Sequence, residues 1–288
     1  MLKVIVVLLG IAILYVVWQI QELRKFQCTQ YEICTDKLTE EHGLVVLSDI
    51  HLWNYGKNNE RLLHAIREKQ PQAILLPGDL IVDTKPELFF VAEMLVKELV
   101  NIAPVYFANG NHESRLEQPT HPNYDSYQRL KQKMLQCGVH VLNNEQERLM
   151  LGTDELYIHG LELPLMYYKK GVETPLASDE LANCIGEITP EGYHILLAHT
   201  PKYIPEYMAW GTDLSLSGHY HGGLVCVPGI GSIISPQFEW FPAHSFGRFD
   251  FERQTALVSR GLGTHTFHIR IFNRSEMLYV VLKPSKFL

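Results

Sequence analysis

Short apolar runs, each ending at a polar cluster, constrain this chain more than any of its other features. The clusters are Asp49-Ile50-His51, Gly78-Asp79, Gly110-Asn111-His112, His199 and Gly218-His219-Tyr220-His221. The runs before them, at residues 44–47, 73–76, 105–108, 195–198 and 214–216, look like strands buried on both faces. Helical patterns separate the first three. Residues 58–69 place Leu62, Leu63 and Ile66 on one face, and residues 86–101 do the same with Leu88, Val91, Leu95 and Leu99. Strand, helix, strand, helix, strand in succession implies parallel pairing through right-handed crossovers, and therefore an α/β fold.

A third amphipathic helix is expected over residues 123–137, closed by Gly138. Beyond it the pattern turns towards β structure, with strands expected at 139–142, 156–159, 224–227, 257–259, 267–272 and 278–282. Helices near 178–184 and 202–210 interrupt them. No internal repeat or Gly/Ser linker divides the chain. Residues 44–288 therefore read as one domain with two layers of sheet, and residues 22–43 as a short polar connector.

Residues 4–21 form an uncharged run of 18, mostly Val, Ile and Leu, with Tyr15 and Trp18 near its far end. That length is just sufficient for a bilayer, which needs about 17–25 apolar residues. The aromatic pair suits the lipid–water boundary and Arg24 and Lys25 the headgroup layer. No small-residue cleavage site precedes residues 22–25, which argues against a removable signal peptide. The expectation is a single-pass anchor in the cell membrane over residues 1–21. Positive charge is too evenly divided to say on which side the catalytic domain lies.

A net charge of −7 argues against long nucleic acid as a partner, since that needs a basic face. The five cysteines are scattered without CxxC spacing, so neither a disulfide framework nor a zinc ribbon is expected.

The polar clusters hold oxygen and imidazole donors and no thiolate, a set that suits catalytic Mn²⁺, Fe or Zn²⁺ rather than structural zinc. Residues two apart in a strand face the same side, so Asp49 and His51 can address one ion together, as can His219 and His221. Asp79, after a glycine that permits close approach, is placed to bridge two ions. Seven ligands then fill two shells. Asp49, His51, Asp79 and His221 hold the first ion; Asp79, Asn111, His199 and His219 hold the second. Such a pair clamps a phosphate and activates water. His112 is then placed to protonate the leaving oxygen. Each cluster alone is a weak signal; their common position after strands gives them weight.

In this order, the clusters resemble the signature of the calcineurin-like metallophosphoesterase superfamily: D-x-H, G-D, G-N-H-[DE], H and G-H-x-H. The match runs from about residue 44 to 225 and includes every metal ligand named above. The resemblance implies a four-layer αββα sandwich of two mixed β-sheets flanked by helices, a dinuclear metal centre and phosphoester hydrolysis. Asp83 resembles a recurrent acid of the family and reads as structural rather than as a ligand. Gly222-Gly223-Leu224, Ser235-Pro236, Gly247 and residues 258–263 resemble the tail of a bacterial membrane-associated branch. That branch includes enzymes likened to UDP-2,3-diacylglucosamine hydrolase.

Outside the motifs, Phe238, Trp240 and Phe241 form either a lipid-facing lip or ordinary core. Lys57, Arg61 and Arg115 follow metal loops, where a second phosphate or plain solvent would be their partner. The remaining histidines read as structural, although His265 follows a glycine-rich turn near the site. The expected activity is a metal-dependent phosphodiesterase or phosphomonoesterase. A UDP-linked glycolipid pyrophosphatase is the narrower alternative, and a non-catalytic membrane scaffold the alternative from another class.

Overall fold

The computed structural model describes residues 2–285 except 173, 228, 237 and 265–267, and leaves the side chains of residues 2, 4–6 and 11–12 undescribed. In chain order the elements are α1 (Leu2–Glu22), β1 (Phe26–Thr35), β2 (His42–Val46), α2 (Glu60–Lys69), β3 (Ala73–Pro77), α3 (Phe89–Val100) and β4 (Val105–Ala108). There follow α4 (Asn111–Leu116), α5 (Tyr124–Gln136), β5 (Val139–Val141), β6 (Glu145–Leu151), β7 (Asp154–Leu161), α6 (Glu180–Ile185) and β8 (Tyr193–Ala198). The chain ends with α7 (Ile204–Trp210), β9 (Leu214–Ser217), β10 (Val225–Val227), β11 (Gly231–Ile234), β12 (Gly247–Phe251), β13 (Gln254–Val258) and β14 (Ser275–Pro284).

Two six-stranded mixed sheets result. One has the order β1-β14-β2-β3-β4-β5 and the other β12-β13-β9-β8-β7-β6, with β10 and β11 as a separate hairpin. Strands β2 to β5 run parallel, as do β7, β8, β9 and β13. The layering follows from side-chain alternation inside strands that are apolar throughout. Leu44, Val46, Leu75 and Tyr106 from the first sheet meet Leu156, Ile158, Ile195, Leu197, Leu214 and Leu216 from the second in one buried cluster. Their neighbours Val45, Leu47, Ile74, Leu76 and Phe107 point the other way, onto α2, α3 and α5. On the far side, Leu196, Ala198, Ala256 and Val258 pack beneath α6 and α7. Each face of each sheet is thus covered, giving helix, sheet, sheet, helix. Leu62 of α2 is fully buried in this packing, and removing a side chain like it costs about 2–5 kcal/mol.

Several sequence expectations need correction. The supposed connector at 22–43 contains β1, which pairs over ten residues with β14. Half of its side chains are exposed, as befits a sheet edge, and Gln27, Gln30 and Glu32 among them resemble those of a loop. Both edge strands of the second sheet, β6 and β12, escaped notice for the same reason. Residues 268–272 of the strand expected at 267–272 do not form it. Residue 267 lies outside the described residues, and the stretch after it makes only an isolated bridge, Val225 to Ile271. At the amino terminus, α1 is one continuous helix. The expected span at 4–21 includes side chains outside the described set, and among the described residues no helix is long and apolar enough to cross a membrane.

Candidate metal centre

The parallel strands β2, β3 and β4 of one sheet and β8 and β9 of the other deliver their carboxyl ends to a common point. There the chain leaves ordinary strand geometry. Asp49 (φ 49°), His51 (φ 49°), Asp79 (φ 55°), His219 (φ 67°) and His221 (φ 51°) are all left-handed. Non-glycine residues held this way cost about 1–3 kcal/mol each and persist only where the surroundings fix them. The pairs Asp49/His51 and His219/His221 therefore converge through left-handed turns beyond β2 and β9, not through the strand alternation expected from their spacing. The amides of Asp49 and His51 donate to the carbonyls of Gly78 (3.2 Å) and Asp79 (3.1 Å), and that of Gly218 to His199 (3.0 Å). Close approach requires glycine here. A Cβ on Gly110 would stand 2.2 Å from Asp79 Oδ1, and one on Gly218 2.1 Å from Asp49 Oδ2.

All seven predicted side chains are buried and meet at this point. Two groups emerge, Asp49–His51–His221 and Asp79–His199–His219, with the ligating atoms of each within 4.8 Å of one another. His51, Asp79 and His112 form a third such group across them. His199 Nε2 lies 3.1 Å from Asp79 Oδ2, His221 Nε2 3.5 Å from Asp49 Oδ1, and His51 Nε2 3.2 Å from His221 Nε2. Asn111 brings its amide to 2.8 Å from His219 Nδ1. With its nitrogen there it donates a hydrogen bond; with its oxygen there it and the ring offer two acceptors to one point.

This donor set fits a pair of divalent cations. His199 Nδ1 faces the carbonyl of Pro77 (2.8 Å) and His51 Nδ1 that of Ile81 (3.2 Å). A carbonyl only accepts, so each ring carries a proton on Nδ1 and turns Nε2 inward, towards carboxylate oxygens. Imidazole nitrogens fixed in this way beside buried carboxylates make a cation site, in which a metal ion would take the place of the Nε2 proton.

Without cations, the histidines and carboxylates balance one another's charge: burial opposes a charged His199, but Asp79 and Asp49 outweigh it and push it up to about 9. Burial, reinforced by the Asp79 charge, pushes Asp49 up to about 6, with His199 opposing. Burial also works against the Asp79 carboxylate, but His199, His112 and His51 outweigh it and hold Asp79 well below its usual range.

The loops bearing these groups are stitched from behind. Glu113 Oε2 accepts from the amides of Asp79 (3.0 Å) and Gly110 (2.9 Å), and Oε1 from that of Ile81 (3.1 Å). Ser48 Oγ donates to Asp49 Oδ2 at 2.6 Å. Asp83 contacts His112 and Arg115. A cavity of about 430 Å³ opens over the cluster, lined by Asp79, Asn111, His112, Arg115, His219 and His268 among others. A second, of about 350 Å³, adjoins it at Tyr168, Lys170 and His219 and extends to Lys202 and Phe238.

Other candidates divide. Arg115 lines the cavity, whereas Arg61 donates to the Arg24 carbonyl (2.9 Å) and Lys57 borders a separate cavity beside Phe90 and Met94. Phe238, Trp240 and Phe241 are exposed, at 56%, 66% and 62%, so the core alternative for them falls. His265 lies outside the described residues. Sequence reasoning missed Lys170, Tyr168 and His268, which come from loops without motif character. It also gave Glu113 no task, although that residue closes the Gly110–Glu113 motif.

The family model for calcineurin-like phosphoesterases matches residues 43–223, and this chain belongs to that family. Membership makes it a metal-dependent phosphoester hydrolase of the dimetal type. Among curated proteins, it is similar to the uncharacterized metallophosphoesterase YkoQ of Bacillus subtilis, with 26% identity covering 82% of each chain. It is also similar to a transmembrane protein with a metallophosphoesterase domain from Danio rerio, at 28% identity over 88% of this chain and 56% of that protein. Among solved structures, TT1561 of Thermus thermophilus matches with a TM-score of 0.48 and 11% identity, covering 77% of this chain and 90% of that one.

Proposed function

We propose that Asp49, His51, Asp79 and His221 hold one divalent cation and Asp79, Asn111, His199 and His219 a second, with Asp79 shared. The observation that carries this reading is the convergence of two buried three-residue groups on either side of Asp79. When bound, such a pair supplies Lewis-acid charge to the phosphoryl oxygens and lowers the pKa of water towards neutrality. The chain's own task is to orient and protonate. His112 keeps a proton on Nδ1 against Asp83 and presents Nε2 to the leaving oxygen as general acid. Arg115 and Lys170 line the same cavity and offer charge to non-bridging oxygens. Purified protein should hydrolyse a generic aryl phosphodiester with Mn²⁺ and lose that activity to a chelator. Full activity in Asp79→Ala would remove the assignment.

A narrower reading concerns the substrate. Phe238, Trp240 and Phe241 stand exposed, and Phe238 lines the cavity adjoining the cluster. Residues 4–21 supply an uninterrupted apolar run whose described side chains are mostly exposed. These features favour a membrane-anchored enzyme acting on a lipid-linked phosphoester, such as the pyrophosphate of a UDP-linked glycolipid. The name of the Danio rerio relative supports the anchor. Turnover of UDP-diacylglucosamine should exceed that of soluble diesters; equal or poorer turnover counts against the lipid reading.

A further inference from the structure

Arg270 is only 2% exposed, and its fork ends on main-chain carbonyls. Nη1 donates to Arg260 (2.8 Å) and His221 (3.4 Å), and Nη2 to Gly263 (2.8 Å) and Gly261 (3.2 Å). The turn it grips lies directly against Asp49. Leu262 N donates to the Ser48 carbonyl (3.0 Å) and Gly263 N to that of Asp49 (2.6 Å), while a Cβ on Gly261 would stand 2.7 Å from Asp49 Cβ. The His221 carbonyl is held a second time, by Asn273 Nδ2 at 2.6 Å.

Both supported residues, Asp49 and His221, belong to the same three-residue group. The Asp79–His199–His219 group has other backing, from Glu113 and the Pro77 carbonyl. Arg270 is itself gripped from outside. Its N–H donates to Gln19 Oε1 and its carbonyl accepts from Gln19 Nε2, both at 3.2 Å. Gln19 lies near the end of α1, and Glu22 one turn later pairs with Arg274. The amino-terminal helix therefore connects to the scaffold behind one half of the metal centre.

We propose that Arg270 is a positioning residue for the Asp49–His51–His221 half of the metal centre, and that Gln19 couples α1 to it. This rests on the reading that those three residues, with Asp79, hold one ion. A groove built from backbone carbonyls asks for a planar, forked donor, which lysine does not provide. Partners behind a ligand typically set metal affinity by about 10- to 100-fold.

The test is a titration of detergent-solubilised, full-length protein, stripped by chelator and reloaded with Mn²⁺. Wild type should bind two ions. Arg270→Lys should weaken one site by about 10- to 100-fold and leave the other as it was. Gln19→Leu, which keeps the guanidinium, should weaken the same site by a smaller factor. A merely structural arginine would lower the melting temperature yet leave both affinities of the folded protein unchanged. That outcome, or equal weakening at both sites, would overturn the proposal. Should Arg270→Lys not fold, Gln19→Leu decides alone, and an unaltered isotherm overturns it. Wild type binding fewer than two ions would instead sink the dimetal reading, and this one with it.

Discussion

Asp83 Oδ1 lies 2.8 Å from His112 Nδ1, so an imidazole that lines the cavity without being assigned to a cation is braced by a carboxylate. Arg115 approaches the other oxygen of the same carboxylate at 3.3 Å. A histidine held in this way keeps its orientation and favours its charged form.

Burial opposes protonation of His112, but Asp79 and Asp83 outweigh it and raise its pKa above the ordinary value. A general acid must be protonated, so activity should decline on the alkaline side as this group titrates. Asp83→Asn removes one of the raising charges. Its alkaline limb should therefore move to lower pH and kcat should drop by about 10- to 100-fold, within the usual reach of general acid catalysis. Two ions should still bind. A pH–rate profile that keeps the wild-type limb would show that Asp83 does not act through His112.

Gly218 leaves no room for a side chain. An added Cβ would stand 1.9 Å from Ser48 Oγ and 2.1 Å from Asp49 Oδ2, both fixed and buried. Gly218→Ala must push Asp49 aside, at about 1–3 kcal/mol of overpacking. Loss of at least one Mn²⁺ per chain, measured by metal analysis after gel filtration, is the expected result. Two ions retained would mean that the loop yields elsewhere.

A second histidine pair, His159 and His194, contributes to acid sensitivity. His194 Nε2 donates to the Glu191 carbonyl (2.9 Å), so its Nδ1 accepts from His159 Nε2 (2.9 Å). That leaves His159 Nδ1 buried without a hydrogen-bond partner among the described residues. Burial, with the neighbouring His194 charge, lowers His159 to about 3. The unfolded chain takes up this proton below roughly 6.5 and the folded one does not, so stability falls as pH drops through that window. Between pH 7 and 4.5 the loss from His159 alone should be about 2–3 kcal/mol. His159→Gln keeps a donor towards His194 and does not titrate. Urea midpoints of chelator-treated protein should therefore vary less with pH in this variant. An unchanged slope would place the acid sensitivity elsewhere.

The parts of the molecule legible in its sequence are those where one residue type permits one solution. Strands such as Ile195–Ala198 are apolar on both faces because a layer covers each, and that pattern has few other readings. The candidate metal cluster was legible because Asp, Asn and His recur just beyond such strands. The mechanism behind the spacing was not. Asp49 and His51 come together through positive φ angles, which spacing alone does not reveal. Three of the four edge strands, β1, β6 and β12, were hidden for the opposite reason. The exposed positions of β1 include Gln27, Gln30 and Glu32, residues equally suited to a loop, and its pairing depends on β14 almost 250 residues later. Arg270 was equally unreadable, since its partners are carbonyls and a carbonyl leaves no mark in a sequence.

The candidate ligands are shared between two sheets: Asp49, His51, Asp79 and Asn111 follow strands of one, His199, His219 and His221 strands of the other. Catalytic geometry is therefore a readout of how far apart the halves of the sandwich lie. Altering the girth of a greasy side chain between them, Leu44 or Leu216 for example, would shift one jaw of the vice against its mate with no contact to phosphorus. Misplacements of about 1 Å can cost two orders of magnitude in rate. Tuning this enzyme, by evolution or by engineering, thus need not touch the seven side chains at all.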